Sequence, residues 1–125
     1  MGQRILVLDF DGVCHSYTSG WQGAAVISDP PVEGLFEFLN QATNEFEVNI
    51  FSSRSHQSGG ITAMQNWFTQ HCPKFYLPML NKLKFPLEKP AGFVGIDDRV
   101  ITFQGTWPSI EFLQNFKPWN KREQV

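Results

Sequence analysis

The stretch RILVLDFDGV, residues 4–13, joins an apolar run to two carboxylates. Residues 4–8 show no polar alternation inside the run, which predicts a strand buried on both faces, as in a parallel sheet. Asp9 and Asp11 follow this strand directly, and Gly12 lets the chain turn away from it. An acidic pair after a strand is equally typical of a polar turn and of a reactive site, so its meaning depends on the rest of the chain.

Further apolar runs predict the remaining strands. Residues 46–51 and 92–96 have the composition of buried strands. A weaker run at residues 74–80 carries Pro78, which cannot donate to a strand ladder and is poorly suited to a central strand. The chain therefore offers up to four strands.

Helical patterns separate these runs. Residues 28–43 place apolar side chains at helical spacing after Ser28 or Asp29 as the cap, and residues 59–73 and 106–116 repeat the pattern. Strands that alternate with helices predict an α/β fold. We expect a three-layer Rossmann-like arrangement, with helices on both faces of a parallel sheet.

Length and composition favour one domain over residues 1–125. A chain of 125 residues can bury about two thirds of its unfolded surface. Its net charge of −2 gives no general attraction to nucleic acid, so a nucleic-acid partner is possible but not favoured. No apolar stretch approaches the roughly 20 residues that span a bilayer, and no membrane partner is expected. The sequence carries no signal for the oligomeric state.

The cysteines and the first residues bear on the cellular compartment. Cys14 and Cys72 lack a second Cys or His at zinc-site spacing, and the first apolar run is too short for a signal peptide. We therefore expect reduced thiols and a cytoplasmic protein.

Polar side chains stand next to three of the predicted strands. Because the carboxyl ends of parallel strands meet at one edge of the sheet, we expect these side chains to lie close together. They are Asp9, Asp11, Ser52, Ser53, Arg54, Lys89, Asp97 and Asp98.

This set suits a phosphate monoester, which carries about −1.5 to −2 charges near neutral pH. Carboxylates aimed at one point repel each other and the substrate, so a divalent cation is expected, and Mg²⁺ prefers carboxylate oxygens and bridges to phosphate. Asp9 can then attack phosphorus to form an aspartyl-phosphate. Asp11 can protonate the leaving oxygen and later deprotonate the attacking water.

The remaining polar residues are candidates for binding the phosphoryl group. Ser52 and Ser53 offer hydroxyls and backbone amides, and Lys89 would offset the charge of the nucleophile and of the transferring group. Arg54 is an open case, because it can bind phosphate or pair with an acid.

Four motifs, in this order, resemble those of the haloacid dehalogenase-like hydrolases, which are mostly phosphatases with an aspartate nucleophile. LDFDGV at 8–13 resembles the family's strand followed by DxDG, and VNIFSSR at 48–54 resembles its strand that ends in Ser or Thr. KPAGFVGIDDR at 89–99 resembles the motif lysine and the strand that ends in paired acids. Together the motifs span residues 6–99.

The resemblance implies how a Mg²⁺ ion would be held. Asp9 would contribute its carboxylate and Asp11 its backbone carbonyl. Asp97 is the preferred further ligand, and Asp98 would bind the ion directly or support its ligands. The resemblance also favours Lys89 as the site lysine, although Lys82 and Lys84 precede the same strand.

The segments between the motifs are too short for the cap domain that many relatives carry. We therefore expect a small capless member, with only the segment around Trp21 as a flap. Its site would be open to water and to large substrates, unless a partner covers it.

The sequence thus predicts a Mg²⁺-dependent phosphoric monoester hydrolase that acts on a small molecule or on an exposed end of a macromolecule. One alternative is a polynucleotide 3′-phosphatase-like enzyme. Another is a non-catalytic, phosphate-responsive binding module on the same scaffold. A response-regulator receiver domain fits less well, because no lone Asp follows the second strand.

Overall fold

A computed structural model of the chain describes residues 3–121 and contains a small parallel sheet. Its strands are β1 (Ile5–Leu8), β2 (Glu47–Ile50) and β3 (Val94–Ile96), in the spatial order β2-β1-β3. Both pairs are parallel, with Leu6 opposite Val48 on one side and Val94 on the other. The first apolar run therefore forms the central strand, and it is buried as predicted.

Three α-helices and three short 3₁₀ segments complete the described chain. The α-helices are α1 (Leu35–Glu45), α2 (Gly60–His71) and α3 (Ile110–Gln114), and the 3₁₀ segments are Ser53–His56, Lys74–Lys82 and Trp119–Lys121. The class of fold is therefore mixed α/β, as predicted. The first helix starts later than expected, after Gly34 with its positive φ of 86°. Neither Ser28 nor Asp29 caps it.

The weak run at residues 74–80 does not form a strand. It lies within the 3₁₀ segment Lys74–Lys82, which follows Pro73 and contains Pro78. The prolines disfavour a ladder, and the turn is closed instead by local bonds such as Tyr76 N–H to the Pro73 carbonyl at 2.9 Å. Only Lys84 extends the sheet here, through a single bridge to β2.

The core lies beneath β1 and β2, and β3 is open. Phe10 packs edge-on against Trp67 and Phe68 of α2, and all three are buried. In contrast, every residue of β3 is exposed. Helices therefore do not cover the whole of this sheet, and the three-layer arrangement is not visible as such among residues 3–121.

No helix within residues 3–121 is both long enough and apolar enough to cross a membrane.

Candidate acidic site at the carboxyl edge of the sheet

Three carboxylates converge where β1 and β3 end. Asp9 follows β1, Asp97 and Asp98 follow β3, and the Asp9 amide donates to the Ile96 carbonyl at 3.0 Å. Because β1 and β3 are direct neighbours, the side chains meet, and one oxygen from each of the three lies within 4.8 Å of the other two. The Phe10 amide donates to Asp9 Oδ1 at 2.8 Å and orients that carboxylate.

Burial and mutual repulsion disfavour charge on this cluster. Partial burial, followed by the charge of Asp97, raises the pKa of Asp9 from 3.8 to about 7. Burial is also the main cause of the raised pKa of Asp98. The metal-free site therefore retains a proton that separate aspartates would lose, and a bound cation would relieve the repulsion.

This raised pKa makes the stability of the metal-free protein depend on pH. Between about pH 4 and 7 the folded state holds a proton on Asp9 that the unfolded state has released, so the free energy of unfolding falls as the pH rises through this window. Asp9→Asn removes the titration. In EDTA at pH 8 we expect the variant to exceed the native free energy of unfolding by up to about 4 kcal/mol, as measured by urea denaturation.

Asp29→Asn provides a control with the opposite sign. The pKa of Asp29 is lowered, chiefly because the Ser19 hydroxyl and amide donate to its carboxylate at 2.6 and 2.8 Å. Its stabilising contribution is present above the ordinary Asp pKa and is lost as the pH falls, so this variant should be less stable than the native protein at pH 8. Parallel pH profiles for native protein and Asp9→Asn would contradict the argument.

Gly12 lies directly against the Asp98 carboxylate of the acidic cluster. Its φ of +82° suits glycine, and a Cβ at this position would collide with the Asp98 carboxylate. The Trp119 indole N–H donates to the Gly12 carbonyl at 2.8 Å, and Asn120 Nδ2 donates to the Ser16 carbonyl at 3.1 Å. The loop after β1 is therefore held by a segment more than a hundred residues away.

Two serines and a lysine share a cavity with Asp9. The cavity measures about 530 Å³ and is lined by Asp9, Asp97, Ser52, Ser53 and Lys89, among others. Ser52 Oγ accepts the Arg54 amide at 3.1 Å, so its own proton is left to donate elsewhere. Lys89 is the candidate lysine that lines this cavity, at the same edge of the sheet as Asp9.

Lys82 and Lys84 lie in a separate depression that they share with Glu47, at the start of β2. The Lys84 ammonium pairs with the Glu47 carboxylate at 2.7 Å. These two amines belong to the opposite edge of the sheet from the acidic cluster.

Arg54 pairs with an acid instead of facing the cavity. Its side chain is fully buried, and Nε and Nη2 donate to the Asp11 carboxylate at 3.0–3.2 Å. Its Nη1 donates to the carbonyls of Gly23, Ala24 and Val26 at 2.8–3.1 Å. All of these donors are used within the protein, so the structure does not support the predicted contact between Arg54 and phosphate. The alternative prediction, that Arg54 pairs with an acid, is confirmed by its contact with Asp11.

His15 holds Asp11 from the other side. His15 Nδ1 lies 2.9 Å from Asp11 Oδ1, and His15 Nε2 accepts the Asp29 amide at 3.0 Å. Because Nε2 is an acceptor, the ring proton belongs on Nδ1, where it is donated to Asp11. The Asp11 carboxylate is thus held between the buried Arg54 guanidinium and the buried His15 ring, and only 14% of its side chain is exposed.

Sequence reasoning did not identify this buried network. His15 stands four residues after Asp11, but that spacing is too common to indicate a contact. Arg54 pairs with an acid 43 positions away, and an arginine beside serines is ordinarily exposed. Its burial has no local signal in the chain.

Trp21 belongs to a second cavity on the same edge. This cavity of about 350 Å³ is lined by Asp9, Asp11, Tyr17, Trp21, Ser52, Ser53, Asp97, Asp98, Arg99 and Val100. The Trp21 ring lies over the Arg54 guanidinium, 4.8 Å from its centroid to Cζ. The segment predicted to be a flap therefore borders the acidic cluster.

The fold and the site define an α/β protein with a carboxylate cluster at the carboxyl edge of a parallel sheet. Comparisons of the chain with protein-family models, with curated proteins and with solved structures find no match.

Proposed function

We propose that the chain is a Mg²⁺-dependent phosphatase that hydrolyses a phosphate monoester through an aspartyl-phosphate on Asp9. The observation that carries the proposal is the convergence of Asp9, Asp97 and Asp98 within 4.8 Å, beside a cavity in which Ser52 and Lys89 accompany Asp9 and Asp97. A nucleophile, a cation site and phosphate-binding groups at one strand edge are the parts that phosphoryl transfer requires.

The three carboxylates fit a single Mg²⁺ ion. Mg²⁺ prefers oxygen ligands at about 2.0–2.1 Å, so the three carboxylate oxygens, which lie within 4.8 Å of one another, would draw closer together to hold one ion. Asp9 and Asp97 would supply carboxylate oxygens, with Asp98 as ligand or support and the Asp11 carbonyl as a further donor. When bound, the ion would neutralise the carboxylates and the phosphoryl oxygens.

Asp9 is the proposed nucleophile. Its carboxylate accepts the Phe10 amide and lines the larger of the two cavities at this edge. Attack of one oxygen on phosphorus forms the acyl phosphate and breaks the ester bond, and water then cleaves the acyl phosphate to regenerate Asp9. Loss of the proton that the metal-free cluster retains would accompany binding of the cation.

Ser52 and Lys89 are the proposed phosphate-binding groups. The Ser52 hydroxyl can donate to a phosphoryl oxygen because its acceptor position is taken by the Arg54 amide. Lys89 lines the same cavity and would offset charge on the transferring group. Ser53 adds a second hydroxyl on the rim.

Asp11 is the proposed general acid and base. It lines the smaller cavity, where it would protonate the leaving oxygen and later take a proton from the attacking water. Arg54 and His15 fix its orientation, so they act on the reaction through Asp11 and not by contact with phosphate.

The resemblance to haloacid dehalogenase-like hydrolases extends the proposal to a three-layer Rossmann-like domain without a cap. Between β1 and β2 the described chain forms one loop and α1, and between β2 and β3 it forms α2 and two 3₁₀ segments. A cytoplasmic site of action, where Mg²⁺ and phosphate esters occur together, completes the proposal.

One observation favours a second candidate, a phosphate-responsive binding module without turnover. Both oxygens of Asp11 already accept hydrogen bonds from Arg54, and Oδ1 also meets His15. A carboxylate held in this way can serve to fix the loop after β1 instead of moving a proton.

Release of inorganic phosphate decides between the two. The native protein is incubated with a panel of small phosphate monoesters and 3′-phosphorylated oligonucleotides, in Mg²⁺ or in EDTA. We expect turnover in Mg²⁺ that EDTA abolishes. Binding of inorganic phosphate without turnover of any panel member would favour the binding module, and the phosphatase proposal would fail.

A further inference from the structure

We propose that Trp21 is a stacking platform for the base of a nucleotide, so that the phosphate esters this site prefers are nucleoside phosphates. The inference rests on the proposed function for the phosphate end of the substrate, but it concerns a different part of the cavity.

One face of the Trp21 ring is covered and the other is available. The covered face lies on the Arg54 guanidinium, 4.8 Å away, and that guanidinium is fully buried. Trp21 as a whole is nevertheless 47% exposed, so the exposed area falls on the opposite face and the ring edges. The ring borders the cavity that Asp9, Asp11 and Asp97 also line, so a ligand bound at the acids can cover its exposed face.

The ring is also held in place before any ligand binds. Arg54 Nη1 donates to the carbonyls of Gly23, Ala24 and Val26, which anchors the chain just after Trp21. Arg54 itself is fixed by its two-point contact with Asp11. A platform that is already ordered loses little conformational entropy on binding, so most of the stacking energy contributes to affinity.

The cavity beside the ring suits a flat heterocycle that also carries a phosphate group. The Trp21 ring lines the same cavity as Asp9 and Asp97, so one ligand can stack on the ring and reach the acids. Tyr17 and the cation of Arg99 line the same cavity and extend the surface available to a flat heterocycle.

The steady-state test compares two substrates that differ in the base. We would measure kcat/KM for adenosine 3′-monophosphate and for glycerol 2-phosphate with native protein, Trp21→Leu and Trp21→Phe. We expect the native ratio to favour the nucleotide, and Trp21→Leu to lower that ratio by about 10- to 100-fold, mainly through KM. Trp21→Phe should retain most of the preference because it keeps a flat ring.

Trp107→Leu is the matched control. Trp107 is 83% exposed, lines neither cavity at the acidic edge and should leave the ratio as it is in the native protein. An oligonucleotide with a terminal 3′-phosphate, assayed in parallel, distinguishes a polynucleotide end from a free nucleotide as the source of the base. Phenyl phosphate is the remaining arm, and an equal loss for phenyl phosphate and the nucleotide in Trp21→Leu would overturn the assignment of a nucleobase.

A binding measurement separates this inference from the proposed function. Calorimetric titration of adenosine 3′-monophosphate in Mg²⁺ into Asp9→Asn, with and without Trp21→Leu, requires no turnover. Tenfold or greater weakening by Trp21→Leu supports the platform even if the native protein hydrolyses nothing. Hydrolysis with an unchanged substrate ratio, or equal binding by the two proteins, would overturn the platform and leave the phosphatase proposal intact.

Discussion

Asp9→Asn should abolish metal-dependent phosphate release, with kcat lowered on the order of 10⁴- to 10⁶-fold, the range seen when a hydrolase loses its nucleophile or a partner of it. The amide cannot attack phosphorus, and it removes one of the three charges that would hold the cation. Steady-state release of phosphate in saturating Mg²⁺ measures the effect. Mass spectrometry of rapidly quenched native protein should in addition find one phosphoryl group on the peptide that contains Asp9.

Glu47→Gln is the control for this substitution. It makes the same change of carboxylate to amide at the start of β2, where Glu47 pairs with Lys84 on the opposite edge of the sheet. That pair is exposed, so we expect near-native turnover and a change in stability of less than about 1 kcal/mol. Native-like turnover by Asp9→Asn, or a phosphoryl group on another residue, would remove Asp9 from the mechanism.

Arg54→Met should lower the free energy of unfolding by about 3–5 kcal/mol. The substitution leaves Asp11 without its buried cation and leaves the carbonyls of Gly23, Ala24 and Val26 without their donor. Urea denaturation measures the loss. We also expect turnover to fall, since the loops that carry Asp11 and Trp21 are both anchored by this guanidinium.

A double-mutant cycle with Asp11→Asn shows whether the ion pair is the cause. The cost of Arg54→Met should be smaller in the Asp11→Asn background, because the uncompensated charge is absent there. Arg4→Met is the exposed counterpart. Arg4 lies over the Phe93 ring, and its loss should cost about 0.5–1 kcal/mol. Equal effects of the two arginine substitutions would refute a central role for Arg54.

The positions of Asp9, Asp97 and Ser52 could be anticipated because they follow from strand order alone. Parallel strands bring their carboxyl ends to one edge, so residues next to those ends must meet whatever the side-chain packing. The choice between Lys89 and the pair Lys82 and Lys84 was open from the residues alone, and it is the structure that separates them, with Lys89 beside Asp9 and the other two beside Glu47.

The interior partners could not be anticipated in this way. The contacts of Arg54 with Asp11 and of His15 with Asp29 join loops whose course is set by tertiary packing. The hydrophobic periodicity of the sequence carries no information about such contacts. Apolar composition alone was also misleading at residues 74–80. These residues were a weak strand candidate, but Pro73 and Pro78 favour the 3₁₀ segment that the structure contains. The exposure of β3 likewise depends on which helices pack nearby.

The bonds from Trp119 to Gly12 and from Asn120 to Ser16 have a consequence for the order of folding. During synthesis the loop after β1 leaves the ribosome early, but its partners follow only after about a hundred further residues. Closing so long a loop costs entropy that local contacts do not repay. The nascent chain can thus form α1 well before the loop after β1 is held in place, and the candidate site is complete only once residue 120 has emerged.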